Sequence, residues 1–584
     1  MYQIHFVNQK TVHASAGGLL SKVCADAGFP LNLVCGGTGR CGKCQVEVQR
    51  PGGELETVLA CKAQVDSDLS VYLSEGQLSH AGAAIMTEGV HLQQSVLRPA
   101  VTRRCLTRQE LAPEHCGAYL NRCALPVLRR FSALIADTAV RQITMTYHRE
   151  ELIAVQPGDT TGQLYGGAVD IGTTTVALYL YNLTTGDAVY TGSALNRQIA
   201  CGADVISRIL HTFQDPAGLD ELHSQVLEGI NTLLAEAESA CPGLRENLYH
   251  MVLCGNSTMQ HLFLGMNPSG LAVDPFVNVT ADLARCTGAE AGLDMAPGGV
   301  VEFLPLLGGF VGADTTAVLL TLPEEAENCL MIDLGTNGEI AAGGSSGYQV
   351  ASTACGPALE GGNIACGMRG TAGAIERISL AEDQVRLQVI GGGAPRGLCG
   401  SAIIDAVAEL LRVGVLDESG LLCSQEEYAK RHPGSALAAC LGPTEDSGNA
   451  FFFTRGEHPV YLSQQDVRQI QLAKSAIYAG CITLLTEAGL EPQQVTNLYL
   501  AGAFGNYINV DNALYIGLLP PVLRERIHSI GNGAGQGAKL CLLDRSHLER
   551  CEALPGQTRH VELAANPLFM EEYILNMNFS PRAE

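Results

Sequence analysis

Apolar and polar residues alternate in two segments of the chain that each predict a strand ending in a tight Asp-x-Gly-Thr turn. These segments are Ala168–Thr174 and Met331–Gly338, and their aspartates lie 163 residues apart. Strand-like alternation resumes at Thr175–Tyr181 after the first turn and at Glu339–Ala342 after the second. Each segment therefore opens a predicted β-meander.

Helical spacing of apolar residues follows both meanders. It is clearest at Leu222–Ala235 and at Ala402–Leu411. A meander followed by helices, occurring twice, predicts two similar α/β lobes, residues 166–325 and residues 326–584.

Short strand patterns near the start of the chain predict a separate α+β domain, residues 1–78. The patterns are Tyr2–Val7, Gln45–Val48 and Leu69–Leu73, and a glycine-rich loop, residues 35–44, lies between the first two. Because this domain is small, we expect its strands to share one modest core.

Two further segments connect this domain to the lobes. Residues 79–97 are small and polar and are predicted to be a linker, and residues 98–165 are predicted to form a small connecting domain. Residues 98–150 hold nine arginines against four acidic residues. This basic segment, from Arg98 to Arg130 in particular, is either a docking surface for an acidic partner or a solvated face of the connecting domain.

Composition excludes several classes of partner. A chain of 584 residues is too long for one core at roughly 150 residues per domain. Its formal net charge of -24 repels phosphate backbones and anionic lipid, so we expect neither nucleic acid nor a membrane as partner. The first residues lack a basic region followed by an apolar run, and the 21 cysteines are scattered, which favours reduced thiols and a cytoplasmic location.

Four cysteines have the spacing of a metal centre. Cys35, Cys41 and Cys44 lie on one glycine-rich loop, and Cys61 follows after sixteen intervening residues. Four thiolates suit two bridged irons, and loop glycines let backbone N–H groups approach the sulfides. The alternatives are a structural zinc site, which also takes four cysteines, and unligated thiols.

The pattern resembles plant-type and adrenodoxin-type ferredoxin domains over about 75 residues. The resemblance implies a 2Fe-2S cluster held by Cys35, Cys41, Cys44 and Cys61. The gap between the first two cysteines is five residues here instead of the four of the plant-type pattern. We therefore infer the four ligands from the resemblance to ferredoxin domains, but we infer no reduction potential from it.

The two Asp-x-Gly-Thr hairpins favour a nucleotide site. A carboxylate at a strand end can hold a magnesium-bound water, while turn N–H groups and threonine hydroxyls face phosphate oxygens. One such hairpin is often ordinary. Two of them, together with a later strand that enters a glycine turn at Leu498–Asn506, favour phosphate binding over a duplicated scaffold that has lost its ligand.

The three segments resemble the phosphate and adenosine motifs of the superfamily of acetate and sugar kinases, heat-shock chaperones and actin. The resemblance implies duplicated ribonuclease-H-like lobes, Mg-ATP as ligand, and Asp170 and Asp333 as the catalytic carboxylates. The residues it places at the nucleotide are Asp170, Gly172, Thr173 and Thr174 in the first hairpin, Asp333, Gly335, Thr336 and Asn337 in the second, and Gly502 and Gly505 beside the nucleoside.

Other candidate residues are less specific. Leu253–Thr258 and Leu307–Asp314 are glycine-containing stretches that either line the cleft or allow close backbone packing. Cys355 and Cys366 invite comparison with dehydratase activators that carry a cluster on the same lobes, although two core thiols account for them equally well. No histidine has a local metal-ligand spacing such as His-x-x-x-His.

The order of domains closely resembles the reductive activators of corrinoid proteins. That resemblance implies ATP-dependent transfer of one electron from a low-potential donor through the 2Fe-2S cluster to the Co(II) corrinoid of a partner methyltransferase system, which regenerates Co(I). A homodimer is left open. Two other classes remain as alternatives: a phosphotransferase with a ferredoxin module, and a non-catalytic redox-sensing nucleotide-binding protein.

Overall fold

The computed structural model describes residues 1–29, 31, 39, 44–73, 96–111, 119–120, 122–202, 204–444, 448–505 and 507–579. Cys35, Cys41, Asn506 and most of the predicted linker 79–97 lie outside the described residues.

The N-terminal domain is a mixed sheet of five strands with one helix, in the order β2-β1-β5-β3-β4. Its elements are β1 (Tyr2–Phe6), β2 (Thr11–Ala14), α1 (Leu20–Asp26), β3 (Gln45–Gln49), β4 (Leu55–Leu59) and β5 (Leu69–Tyr72). Strands β1 and β5 are parallel, and the other pairs are antiparallel. Alternate residues such as Ile4, Phe6, Val46 and Val71 point into one core, as the sequence pattern predicted.

The connecting region forms an antiparallel sheet of three strands that covers one helix. The strands are β6 (Val101–Thr107), β7 (Gln142–His148) and β8 (Glu151–Pro157), and the helix is α2 (Leu125–Ala136). The helix is amphipathic and buries Phe131 and Leu134 against Leu106, Met145 and Leu152.

The next sheet has six strands in the order β11-β10-β9-β12-β14-β13. Its strands are β9 (Tyr165–Ile171), β10 (Thr175–Asn182), β11 (Ala188–Leu195), β12 (Leu248–Gly255), β13 (Ala284–Thr287) and β14 (Val300–Phe303). Strands β9 to β11 form the predicted meander, while β12 and β14 add in parallel. The helices of this part are α3 (Val205–Gln214), α4 (Gly218–Ala240), α5 (Ser257–Phe263), α6 (Gly288–Ala291) and α7 (Ala313–Leu320).

A second six-stranded sheet repeats this plan in the order β25-β24-β15-β16-β17-β26. Its meander is β15 (Cys329–Leu334), β16 (Gly338–Gly344) and β17 (Gly347–Thr353), and the parallel strands β24 (Asn497–Ala501), β25 (Ile527–Gly531) and β26 (Thr558–His560) complete it. Two small sheets accompany it: β18 (Ala374–Ser379), β19 (Arg386–Val389) and β20 (Gly397–Leu398), then β21 (Leu441–Thr444), β22 (Gly448–Phe452) and β23 (Tyr461–Ser463). The remaining helices are α8 (Gly400–Arg412), α9 (Gln425–Arg431), α10 (Gln464–Glu487), α11 (Gly502–Gly505), α12 (Val510–Tyr515), α13 (Gly533–Leu543), α14 (Arg545–Gln557) and α15 (Pro567–Leu575).

The chain divides into two compact units. The first holds Met1–Thr321 and Ala534–Gly556, and the second holds Leu322–Gly533 and Gln557–Glu584. The sequence predicted that all of residues 326–584 form one lobe. In the structure, α13 and α14 instead belong almost entirely to the first unit. These helices pack in the first unit because Gly537 lets α13 approach α7: an added Cβ would lie 1.9 Å from the carbonyl oxygen of Ala317.

The longest helices of the described part of the chain are α4, with 23 residues, and α10, with 24. Both carry several charged or amide side chains along their length. None of the helices in the described ranges is both long and apolar enough to cross a bilayer.

Candidate functional site

The first hairpin, residues 170–175, joins β9 to β10 and carries the predicted phosphate residues. Asp170 is half-buried at the end of β9. The turn closes through a hydrogen bond from the Gly172 N–H to the carbonyl oxygen of Thr175 at 2.9 Å. An added Cβ on Gly172 would lie 2.8 Å from that oxygen, so only glycine fits this turn.

Two asparagines from other elements hold the first hairpin in place. The Asn196 side chain donates from Nδ2 to the carbonyl oxygen of Gly172 at 2.9 Å, and its N–H donates to the carbonyl oxygen of Thr174 at 2.9 Å. Asn256, which follows β12, donates from Nδ2 to the Thr173 hydroxyl oxygen at 3.1 Å. The Thr173 hydroxyl therefore has a set orientation.

A buried arginine supports the same turn from below. Arg208 on α3 is fully buried and donates to the carbonyl oxygen of Thr173, to the carbonyl oxygen of Gly202 at 3.0 Å and to Oε1 of Gln198 at 3.1 Å. Burial lowers the pKa of Arg208 to about 9, so the guanidinium stays protonated at neutral pH. A buried cation thus contacts the backbone of the first hairpin.

A second carboxylate, Asp314, occupies the first turn of α7. Gly312 allows the helix to begin there, because an added Cβ would lie 2.4 Å from Cα of Asn256 and 2.7 Å from the carbonyl oxygen of Gly255. The Thr315 N–H donates to Oδ1 of Asp314 at 2.7 Å. Burial nevertheless raises the pKa of Asp314 to about 6.

Cys254 on β12 is a buried thiol beside Asp170. The parallel register pairs Cys254 with Asp170, and its Sγ lies 4.0 Å from Oδ1 of Asp170. Burial raises the pKa of Cys254 well above its usual range, and the charges of Asp170 and Asp314 raise it further. A neutral thiol therefore lies beside Asp170 at this edge of the sheet, and the charge of Asp314 also acts on it.

The second hairpin, residues 333–338, joins β15 to β16. Asp333 pairs directly with Glu339 across the two strands, and the Gly335 N–H donates to the carbonyl oxygen of Asn337 at 3.0 Å. The Thr336 hydroxyl donates to Oε2 of Glu360 at 2.7 Å. Partial removal from water raises the pKa of Glu360, although this hydrogen bond and the charge of Arg369 lower it in part.

Gly502 lies against the second hairpin, whereas Gly505 does not. Gly502 has φ of +87°, and an added Cβ would lie 2.6 Å from Oδ1 of Asp333 and 2.8 Å from the carbonyl oxygen of Leu334. At Gly505 an added Cβ would meet only Leu500, at an ordinary 3.4 Å. The position of both glycines beside a nucleoside stays a prediction.

Cys355 belongs to the second hairpin as a neutral thiol. Its Sγ donates to the carbonyl oxygens of Gly335 and Thr336, each at 3.5 Å. Burial raises the pKa of Cys355 well above its usual range, and the nearby carboxylates of Glu339 and Glu360 add to the shift. A protonated thiol that donates to backbone carbonyls is a poor iron ligand. The two hydrogen bonds of Cys355 therefore account for its presence at this hairpin.

Two of the four predicted cluster cysteines are within the described residues. Cys44 and Cys61 are 1 % and 4 % exposed and share the core of the N-terminal sheet, and the Ala60 N–H donates to the carbonyl oxygen of Cys44 at 3.0 Å. Gly39, from the cysteine loop, lies beside Lys62: an added Cβ would be 3.0 Å from Cε. Gly39 therefore lies next to the residue that follows Cys61, and the ligand set of the cluster stays a prediction.

The arginines of the basic segment are largely used within the protein. Arg98 donates to Oδ2 of Asp544 at 2.9 Å, Arg103 donates to Gln156 and Asn247 side chains, and Arg108 donates to three carbonyl oxygens. Arg129 and Arg130 on α2 are exposed. Arg122 is exposed as well, and a docking role for the segment stays a prediction that rests on these three residues.

The sequence did not predict the side chains that position the first hairpin. Asn256 and Asp314 lie in two glycine-containing stretches that were singled out, so a signal was present for them. Asn196 and Arg208 had none, because nothing in their local sequence shows that they fold back on Thr173 and Thr174.

Comparison with known proteins identifies the family. A family model described as the C-terminal domain of RACo, the ASKHA domain, matches residues 327–583, and the RACo middle region matches residues 165–323. The corrinoid activation enzyme RamQ of Eubacterium limosum is 40% identical over 98% of this chain and 98% of its own length. The chain belongs to the RACo family.

Two further relatives of this RACo-family chain agree with that assignment. A reductase of Methanosarcina barkeri named for a Co(II) methylated amine-specific corrinoid protein is 23% identical and covers 71% of this chain and 77% of its own length. The solved structure of a reductive activator for a corrinoid, iron-sulfur protein is 28% identical, with a TM-score of 0.73, and covers 100% of this chain and 99% of its own. The expected fold, an α+β domain followed by a duplicated actin-like α/β domain, is confirmed.

Proposed function

We propose that this chain is an ATP-dependent reductive activator of a corrinoid protein. The observation that carries the proposal is full-length similarity to a corrinoid activation enzyme, in a chain that combines two phosphate-type hairpins with a cysteine-bearing N-terminal domain. The substrate would be the inactive Co(II) corrinoid of a partner methyltransferase system, and one electron would return it to Co(I).

The hairpins supply the nucleotide chemistry. Asp170 would hold a magnesium-bound water and Asp333 would orient the attacking water, while Thr173, Thr174, Thr336 and Asn337 contact phosphate oxygens. The half-buried Asp314 adds a carboxyl whose pKa near 6 suits proton acceptance at neutral pH. With these roles, the affinity of the hairpins for ATP would differ from their affinity for the hydrolysis products.

The N-terminal domain supplies the electron path. Cys35, Cys41, Cys44 and Cys61 would hold the 2Fe-2S cluster, which when bound supplies one-electron transfer. Burial of Cys44 and Cys61 keeps water from these thiols. A low-potential donor would provide the electron, and an uphill gap of about 100 mV to cobalt corresponds to roughly 2.3 kcal/mol, which a nucleotide-dependent conformational preference can cover.

A crossed pair of variants tests whether both halves are needed. Cys41→Ala should stop cobalt reduction while ATP hydrolysis survives, and Asp333→Ala should leave a reducible cluster whose electron no longer reaches cobalt efficiently. Cys24→Ala, which removes a buried cysteine outside the predicted ligand set, should retain both activities. The measurements are cobalt absorbance and phosphate release under anaerobic conditions.

Other outcomes would favour the alternatives. Transfer of phosphate to a small molecule, undiminished in Cys41→Ala, would indicate a phosphotransferase. Nucleotide binding with neither hydrolysis nor cobalt reduction, in the presence of a folded corrinoid protein, would indicate a redox-sensing protein. Zinc in place of iron in anaerobically prepared protein would contradict the assignment of the four cysteines.

A further inference from the structure

Two imidazoles and a carboxylate form a buried cluster away from the hairpins and the N-terminal domain. His148 ends β7, His250 lies on β12 and Glu302 lies on β14. The three side chains are 1 %, 0 % and 1 % exposed. The cluster therefore connects the three-stranded sheet of the connecting region to the six-stranded sheet of the first unit.

The ligand-type atoms of this cluster converge. Nε2 of His250 lies 2.8 Å from Oε2 of Glu302, and Nε2 of His148 lies 3.3 Å from Oε1 of the same carboxylate. One ligand atom from each residue lies within 4.8 Å of the other two. The imidazole rings are 5.4 Å apart between centroids and meet edge to face, so neither ring blocks the other's nitrogen.

Hydrogen bonding within the described residues leaves this cluster incomplete. His250 and Glu302 form one hydrogen bond, but neither ring nitrogen of His148 has a hydrogen-bond partner, and Nδ1 of His250 has none either. A buried polar group without a partner is destabilising. Glu302 therefore satisfies His250 by a hydrogen bond, whereas it contacts His148 at 3.3 Å without forming one.

A bound cation accounts for all three residues at once. Neutral imidazole nitrogens and a carboxylate oxygen are ligands that zinc accepts, commonly in sets of four. We propose that His148, His250 and Glu302 bind a zinc-type divalent metal ion that ties the connecting sheet to the neighbouring sheet. The site is independent of the proposed function, because no hairpin or cluster residue belongs to it.

The sequence gives no hint of this site because its ligands come from three separate strands. Residues 148, 250 and 302 have no local spacing, and only the parallel pairing of β12 with β14 places His250 and Glu302 on one face. A second group, Cys201, His211 and Glu221, also brings metal-ligand types together but is only half-buried. In that group His211 and the Lys22 ammonium both contact the Glu221 carboxylate, so the carboxylate is already neutralised.

The test is zinc binding by the full chain. Protein stripped with a chelator is dialysed against zinc, and bound metal is measured by mass spectrometry and by zinc X-ray absorption. We expect about one zinc per chain with only nitrogen and oxygen ligands near 2.0–2.1 Å, distinguishable from the 2.3 Å zinc–sulfur distance that the four-cysteine site would give.

Matched variants locate the ion. Glu302→Gln should lower zinc affinity at least 100-fold, whereas His211→Ala, from the half-buried group, should bind like the unchanged protein. Zinc should also raise the melting temperature of the unchanged protein and not that of Glu302→Gln. Failure of the unchanged, folded protein to take up zinc, a sulfur-containing ligand shell alone, or equal uptake by Glu302→Gln would each overturn the proposal.

Discussion

The two phosphate-type hairpins share a sequence pattern and a place in their sheets, yet their surroundings differ. The first hairpin is held by donors: Asn196, Asn256 and the buried Arg208 bond to its carbonyl and hydroxyl oxygens. Around the second hairpin the neighbours are acidic, with Glu339 opposite Asp333 and Glu360 bonded to Thr336.

This difference leads us to expect different roles for the two hairpins. A turn whose carbonyls are bound from behind by a cation and amides has its N–H and hydroxyl groups fixed in advance, which suits phosphate positioning. Carboxylates near a turn suit a magnesium ion or a water molecule that must lose a proton. We therefore expect the first hairpin to position phosphate rigidly, with Asp170 holding the magnesium-bound water, and the second hairpin to orient the attacking water through Asp333.

The largest effect is expected from the hairpin carboxylates. Asp170→Asn and Asp333→Asn should each lower the rate of ATP hydrolysis about 10²–10⁴-fold, because each removes a charged metal- or water-binding oxygen while keeping the side-chain volume. Asp187→Asn, in the exposed turn after β10, is the control and should hydrolyse ATP normally. Phosphate release measures all three, and full activity of either hairpin variant would contradict the assigned roles.

The next effect concerns the support of the first hairpin. Arg208→Met should lower the free energy of unfolding by about 3 kcal/mol, because three acceptors, two of them in buried hydrogen bonds, lose their donor. Arg197→Met is the matched control: Arg197 pairs with Glu228 at the surface, so its loss should cost about 0–1 kcal/mol. Urea unfolding compares the two, and equal costs would show that Arg208 is not a special support.

Asp314 should make stability depend on pH. Its folded pKa of about 6 lies above the usual value near 4, so the native state holds the proton more tightly than the unfolded state does. The resulting stability is full below about pH 4 and is lost as pH rises through 6. Asp314→Asn should therefore gain roughly 1–2 kcal/mol relative to the unchanged protein between pH 5 and pH 7.5, measured by urea unfolding. If the free energy of unfolding depends on pH in the same way for Asp314→Asn and for the unchanged protein, burial does not raise the pKa of Asp314.

The smallest effect tests the contact of Gly502 with the second hairpin. Gly502→Ala should cost about 1–2 kcal/mol for the left-handed backbone and should displace the Asp333 carboxylate, which slows ATP hydrolysis about tenfold. Gly505→Ala is the control: Gly505 lies three residues after Gly502, has room for a methyl group, and its substitution should leave the rate unchanged. If Gly502→Ala hydrolyses ATP as fast as Gly505→Ala, the position of the Asp333 carboxylate does not depend on Gly502.

Local patterns predicted the parts of the molecule that depend on neighbouring residues. Both meanders follow from alternation over a few residues, and Gly172 follows from a turn that leaves no room for Cβ. Contacts between distant segments were not predictable in this way. Arg208 reaches Thr173 from a separate helix, and α13 returns to the first unit through Gly537.

The predicted cluster cysteines and the buried histidines differ in the same way: the cysteines are close in sequence, whereas the histidines come from separate strands. Their spacing predicted the ligand set, and the structure adds that Cys44 and Cys61 share one core. The assignment of Cys35 and Cys41 rests on sequence. Histidine spacing, by contrast, predicted no metal site, because His148, His250 and Glu302 meet only through the pairing of separate strands.

The rate of cobalt reduction with and without Mg-ATP tests the central claim most directly. The chain, with its iron content and reduced cluster confirmed, is mixed anaerobically with a folded cognate Co(II) corrinoid protein and a low-potential donor, and the appearance of Co(I) is followed by its absorbance. The account predicts that Mg-ATP accelerates Co(I) formation and that Asp170→Asn and Asp333→Asn abolish the acceleration. Equal rates in the presence and absence of Mg-ATP would contradict it.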